Sequence, residues 1–150
     1  MIDPYEALVT LARADAGLTA VVGDRIDVWH RYGQDFADWS QTVQSLLFVA
    51  SGGELNKDDG YMRPVIECRC YGDTPFECGE VWKALVAFTV EHNERRTVVT
   101  SSGKALVADF LPRTGEGMPQ LLFDEDVRPR GGMPYYSVFM QATIAMQDVT

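Results

Sequence analysis

The sequence predicts an α+β fold: one mostly antiparallel β-sheet, with helices packed on one face and long loops on the other side and at the edges. Three observations carry this expectation. In the last segment Tyr136, Val138, Met140, Ala142, Ile144 and Met146 alternate with Tyr135, Ser137, Phe139, Gln141, Thr143, Ala145 and Gln147, the period of two of a half-buried strand. Earlier, Ile66, Cys68 and Cys70 alternate with Glu67, Arg69 and Tyr71, and this strand turns through Gly72-Asp73 into an amphipathic helix. In both strands one face is core and the other is largely polar, the pattern of a single antiparallel-rich sheet with helices on one side. At 150 residues the chain is expected to be a single domain, residues 1–150, able to bury a core without metal or disulfide staples.

Taken in order, Asp3-Pro4-Tyr5-Glu6 is a helix start: an acid at the N-cap, proline at the first helical position and glutamate three residues after the cap. Tyr5, Leu8, Leu11 and Ala12 form its apolar stripe. Leu18, Val21 and Val22 predict a second short helix closed by Gly23. Asp24 to His30 alternates as a first strand, with Ile26, Val28 and His30 on one face. Residues 31–42 hold aromatic side chains without a sustained period and are expected to form a loop. Gln44 to Ala50 is a continuous apolar run of strand length, suited to burial on both faces. Ser51 to Gly60 has the composition of a solvated turn region, so that the strands on either side would make a long-looped hairpin.

Thr74-Pro75-Phe76-Glu77 is a second helix start with the same T-x-x-E logic. Cys78, Val81, Trp82, Leu85, Phe88, Thr89 and His92 follow at helical spacing. Residues 95–100 and 104–111 flank Ser101-Ser102-Gly103 as a hairpin. Pro112 to Pro134 holds four prolines and four glycines and is expected to be mostly loop, with one short strand near Leu121-Leu122-Phe123.

Composition limits the chemistry. There are 13 basic and 22 acidic residues, a formal charge of −9, which argues against gripping nucleic-acid phosphates. The start of the chain has neither the basic region nor the apolar run of a signal peptide, and no apolar stretch approaches the roughly 20 residues that cross a bilayer, so no membrane partner is expected. Three cysteines, Cys68, Cys70 and Cys78, form no disulfide framework or paired metal knuckle and suit a reducing compartment. With His92 they could hold a metal, but C-x-C on one strand is poor tetrahedral spacing, and packing as small apolar groups is the simpler reading. His30 and His92 read as packed or capping residues. Asn56 to Gly60 has Asp59 where a calcium loop needs glycine and Val65 where it needs glutamate. Thr114 to Pro119 and Arg130 to Pro134 lack the lysine and helix of a phosphate loop. No catalytic residue, cofactor or metal site is therefore expected; a small cytosolic enzyme or ligand-binding module using the cysteines is the rival from another class.

What stands out is surface. Trp29, Tyr32, Phe36 and Trp39 are aromatic residues of the kind concentrated in interface cores, and Ala84, Ala87 and Val90 are small or apolar on the outer side of the central helix. These seven form a candidate subunit interface. Charged loops carry Glu54, Asp58 and Asp59, and then Asp124, Glu125, Asp126, Arg128 and Arg130.

The opening helix running into Leu18-Thr-Ala-Val-Val-Gly-Asp-Arg-Ile26, the strand ending Ala50-Ser-Gly-Gly53, and Val65-Ile-Glu-Cys-Arg-Cys-Tyr-Gly-Asp-Thr74 continuing through Glu80-Val-Trp-Lys-Ala-Leu85 resemble the tail terminator family of long-tailed bacteriophages. The resemblance covers most of the chain. It implies a structural virion protein of the tail neck, assembled in the host cytoplasm. Such a protein forms a homo-hexameric ring that caps the tube of major tail tube protein, ends its polymerisation and joins it to head-tail connector or stopper proteins. Double-stranded DNA would pass without specific binding, and an acidic lumen fits that passage physically. The charged loops would then lie between rings or in the lumen. A head-completion or head-to-tail adaptor ring, one level higher, is the alternative within the class.

Overall fold

Both predicted helix starts form, because each opens on a side chain that satisfies otherwise unpaired N–H groups. The computed structural model describes residues 1–28, 44–124 and 133–149. Helix α1 spans Pro4–Arg13, and the Asp3 carboxylate accepts from the N–H groups of Tyr5 (2.9 Å) and Glu6 (3.2 Å). Helix α2 spans Ala16–Val22, capped by Asp15 through the Leu18 N–H at 2.9 Å. Helix α3 spans Pro75–Val86, with the Thr74 hydroxyl accepting from the Glu77 N–H at 3.3 Å. The Glu77 carboxylate reaches back one residue further than the simple box requires, to the Asp73 N–H at 3.1 Å. That close return passes over Gly72, where a Cβ would lie 2.7 Å from the Cys78 nitrogen and from the Glu77 Cβ. Glycine is required there by contact alone.

The strands are β1 (Ile26–Val28), β2 (Ser45–Asn56), β3 (Tyr61–Tyr71), β4 (Arg96–Thr100), β5 (Gly103–Pro112), β6 (Gln120–Asp124) and β7 (Met133–Ala145). They form one seven-stranded sheet in the order β1-β2-β3-β7-β5-β4, with β6 also paired to β7. Every pairing is antiparallel except β1 with β2. The expected α+β class, helices on one face of a mostly antiparallel sheet, is what forms. The sheet curls, because α1 touches both β1 and β4, the strands at its two ends, while α3 packs on β3 and β7 at its centre.

The main core fills the concave face: Leu8, Leu18, Ile26, Leu46, Phe48, Ile66, Val81, Leu85, Phe88, Phe110, Met140 and Ile144 are each at most 1% exposed. At one end the opposite face is also packed. Leu47, Tyr71, Met133 and Tyr135 make a second cluster with Val49 and Leu122. The apolar run of β2 is thus buried on both faces as its composition predicts, whereas the other face of β7, expected to be largely polar, is apolar at its start.

The main correction concerns residues 51–60. Rather than a long loop, β2 and β3 continue as a hairpin arm, paired from Gly53 with Pro64 out to Asn56 with Tyr61; its β3 strand stays inside the sheet, with Tyr61 and Met62 also paired to Ala145 and Ile144 of β7, and only the four residues Lys57 to Gly60 turn. The glycines that suggested a loop build a bulge: Ser51 and Gly52 lie opposite the single residue Val65 between the Ala50–Ile66 and Gly53–Pro64 pairs. Pro64 has no N–H to give to a ladder, so the irregularity falls where pairing is already weakened. At Gly53, φ is +128° and a Cβ would lie 2.4 Å from the Arg63 carbonyl oxygen.

Candidate interaction surfaces

Each surface can be built from the element that carries it. On the arm, cross-strand pairing puts Glu54 opposite Arg63, and their charged groups approach to 3.9 Å while both stay largely exposed, which contributes little stability. The tip is held by Asn56, whose side-chain amide donates to the Asp59 carboxylate (2.7 Å) and whose side-chain oxygen accepts the Asp59 N–H (3.1 Å). Gly60, at φ +73°, closes the turn back onto the Asn56 carbonyl. Of the three acidic candidates here, Asp59 shapes the turn, Glu54 faces Arg63, and Asp58 extends into solvent. Leu55 is 52% exposed beside them.

The helix surface differs from expectation. After Val86 the helix widens into a π-segment, Ala87–Glu91, closed by the His92 N–H on the Ala87 carbonyl at 3.2 Å. The extra residue per turn lets Phe88 and Thr89 both point inward, and the Thr89 hydroxyl donates to the Leu85 carbonyl at 2.9 Å. It also carries His92 off the apolar stripe into solvent. Ala84 is half-buried against the main core and Ala87 is half-buried, leaving Val90, 49% exposed, as the open apolar group of the three.

Trp29, Tyr32, Phe36, Trp39, Glu125, Asp126, Arg128 and Arg130 lie outside the described residues, as does His30. Asp124 is placed by its backbone as the last residue of β6, paired with Met133.

The polar face of the sheet holds one compact network. Glu67 and Arg69, on the same side of β3, bond at 3.0 Å. The Ser137 hydroxyl donates to the other Glu67 oxygen at 2.7 Å, and the Arg69 guanidinium lies 5.0 Å from the centroid of the Tyr135 ring. Burial opposes the charge on Arg69, but Tyr71 and Glu67 together hold it protonated above its ordinary range. Each member is engaged with its neighbours, the mark of a structural network.

The three cysteines are free, buried thiols. Burial pushes all three up: Cys68 and Cys70 strongly, and Cys78 from 9.0 to about 11, against the opposing pull of backbone hydrogen bonds. The Cys78 thiol donates to the Pro134 carbonyl at 3.3 Å. His92 cannot join them, since 14 residues of helix separate it from Cys78, roughly 20 Å. Among the described residues no group of three His, Cys, Asp or Glu side chains is gathered to hold a metal ion. A hollow of about 140 Å³ beside α1, lined by Tyr5, Thr10, Arg13 and Val28, is smaller than a small-molecule site.

Sequence reasoning passed over several apolar exposures, Phe76 (74%) and those of two strands among them. Val99 on β4 is 77% exposed, and on β6 Leu121 (41%) and Phe123 (57%) flank the half-buried Leu122. The uninterrupted apolar run Leu121-Leu122-Phe123 carries that signal on β6, since successive strand residues face opposite sides and one side must be open unless both are covered. No described helix is long and apolar enough to cross a membrane. No protein-family model, curated protein or solved structure matches the chain.

Proposed function

We propose that the chain is the subunit of a ring that caps a bacteriophage tail tube, ends its polymerisation and joins it to the head connector. The observation that carries the reading is the arm: the end of β2, Gly53 to Asn56, is exposed and unpaired along its outer side among the described residues and leads into an acidic, ordered turn, while its β3 partner is anchored on β7. An exposed, unpaired edge of this kind is a template for contact with another chain. The resemblance of the sequence to tail terminators supplies the kind of neighbour: further copies in the ring, tail tube protein below and connector or stopper proteins above. The excess of acidic residues suits a ring through which duplex DNA slides without being held. The site for this activity is surface, not a catalytic pocket.

Negative-stain imaging of the purified protein, alone and mixed with tail tube protein, tests the reading. Rings or capped tubes of limited length are expected. Tubes that grow unchanged beside a featureless monomer would sink the proposal, and rings that bind connector but ignore tubes would move the protein to the adaptor position.

A further inference from the structure

Besides β1 and β6, two strand edges are open among the described residues. One is the outer side of the arm, Gly53 to Asn56, beyond the short reach of β1, which pairs only as far as Phe48. The other is the outer side of β4, the last strand of the sheet. No proline stands in either strip, and although Glu54 and Arg96 lie on them and the Ser51–Gly52 bulge adjoins the first, Leu55 (52%) and Val99 (77%) are exposed and apolar. An open edge fits one kind of partner, another extended strand, because only that satisfies a row of alternating N–H and C=O groups.

We propose that the outer edge of the arm pairs antiparallel with the outer edge of β4 on a second copy of the chain, Leu55 against Val99. The inference rests on the ring reading only in taking a second copy as the partner. Charge selects the direction. In the antiparallel register with Leu55 opposite Val99, Asp58 and Asp59 of the turn come beside Arg96 and Arg95. Arg95 is exposed, and the Arg96 Nε is buried with no partner among the described residues, its guanidinium 4.8 Å from the Phe88 ring centroid. Glu94 is the one acid adjoining this pair of arginines in sequence. In the parallel register the same aspartates would arrive at the β4–β5 turn, where the carboxylates of Glu6 and Asp148 already bind Ser101 and Lys104. The edge strand β6 is excluded on the same ground, since it ends at Asp124. The two edges are different, so each copy gives one and receives one, a head-to-tail contact that closes a ring when its rotation closes.

The test uses the depth of the native thiols. Burial holds them protonated and inaccessible, so a cysteine added at an exposed site reacts alone. Leu55→Cys and Val99→Cys proteins, prepared separately, mixed and mildly oxidised, are expected to give a disulfide-linked dimer at least about tenfold above either protein oxidised alone, as directly opposite strand residues allow. Val99→Lys, at a site too exposed to disturb folding, is expected to weaken self-association at least about tenfold, with an unchanged thermal midpoint at concentrations where the chain is monomeric. A chain that stays monomeric in light scattering, or a mixture giving no more dimer than its components, overturns the pairing. A ring that assembles without the cross-link removes this pairing but leaves the ring; cross-linked copies that ignore tail tube protein keep the pairing and remove the tail assignment.

Discussion

The Glu6 carboxylate accepts both the backbone N–H (2.7 Å) and the hydroxyl (2.8 Å) of Ser101, joining the first turn of α1 to the β4–β5 turn across 95 residues of chain. A glutamate three residues after an N-cap ordinarily folds back on its own helix. Here the N–H of Asp3 instead donates to the Ser102 hydroxyl at 3.2 Å, which frees Glu6 to fasten the hairpin. The helix start is therefore also the clamp that fixes one end of the sheet under α1. Glu6→Ala is expected to lower the unfolding free energy by about 1 kcal/mol, because two charge-assisted bonds are lost at a half-exposed site. Ser101→Ala should cost less, and in a denaturant-melt double-mutant cycle the two should couple.

Gly53→Ala should cost at least about 2 kcal/mol, since the new methyl meets the Arg63 carbonyl and a left-handed backbone at once. Gly52→Ala, at φ +84° with open space around its Cβ, keeps only the backbone strain and should cost less. Equal effects in thermal melts of the two variants would show that the bulge is not held by contact.

Glu67→Ala removes the acceptor of both Arg69 and Ser137 and leaves a largely buried guanidinium without its carboxylate, a loss of about 2–3 kcal/mol. Ser137→Ala, which spares the ion pair, is expected to cost about 1 kcal/mol. Chemical denaturation of both variants checks the order.

The thiols predict how stability varies with alkali. Cys78 has its folded value raised from 9.0 to about 11, so between those pH values the unfolded chain has lost a proton that the folded chain keeps. Its contribution is complete below pH 9.0 and is lost as pH rises toward 11, and Cys68 and Cys70 act in the same direction. Melting temperatures should fall over that range. Replacing Cys78 with alanine should flatten part of the fall, and a disulfide reagent at pH 8 should modify the folded protein far more slowly than the unfolded one.

For the proposed role, replacing Glu54, Asp58 and Asp59 together with lysine should lower the thermal midpoint only modestly, through the lost Asn56–Asp59 bond and a lysine facing Arg63 in place of Glu54 at exposed sites, while disturbing capping of tubes or DNA passage. Unaltered assembly of infectious particles by that variant would count against the arm as a contact element.

Local chemistry makes much of this legible in the sequence. Asp3, Asp15 and Thr74 cap helices because their side chains reach N–H groups within three residues, and the alternations in β3 and β7 record which face meets the core. What was hidden depends on partners distant in sequence. Gly52-Gly53 reads as a loop until Pro64 is known to lie across from it. His92 reads as part of an apolar stripe until the helix widens by one residue per turn near Ala87. Ala84 reads as outer surface because helical spacing alone does not show how much of α3 the main core reaches. The interaction surfaces were the least legible, since an open strand edge is defined by the neighbour that is missing.

Between Pro112, paired with Met140, and Gln120, paired with Ser137, the chain leaves the edge of β7 and returns to the same edge in the same direction. β5 and β6 are thus one strand interrupted by residues 113–119, fastened at its start by the Arg113 N–H on the Phe139 carbonyl at 2.9 Å. Because both anchors lie on β7, the excursion between them can change length without shifting any other register. Residues 115–118, with Met118 79% exposed, are accordingly the natural place to insert a peptide tag or fluorophore, one that would report assembly from outside while the sheet beneath keeps its alignment.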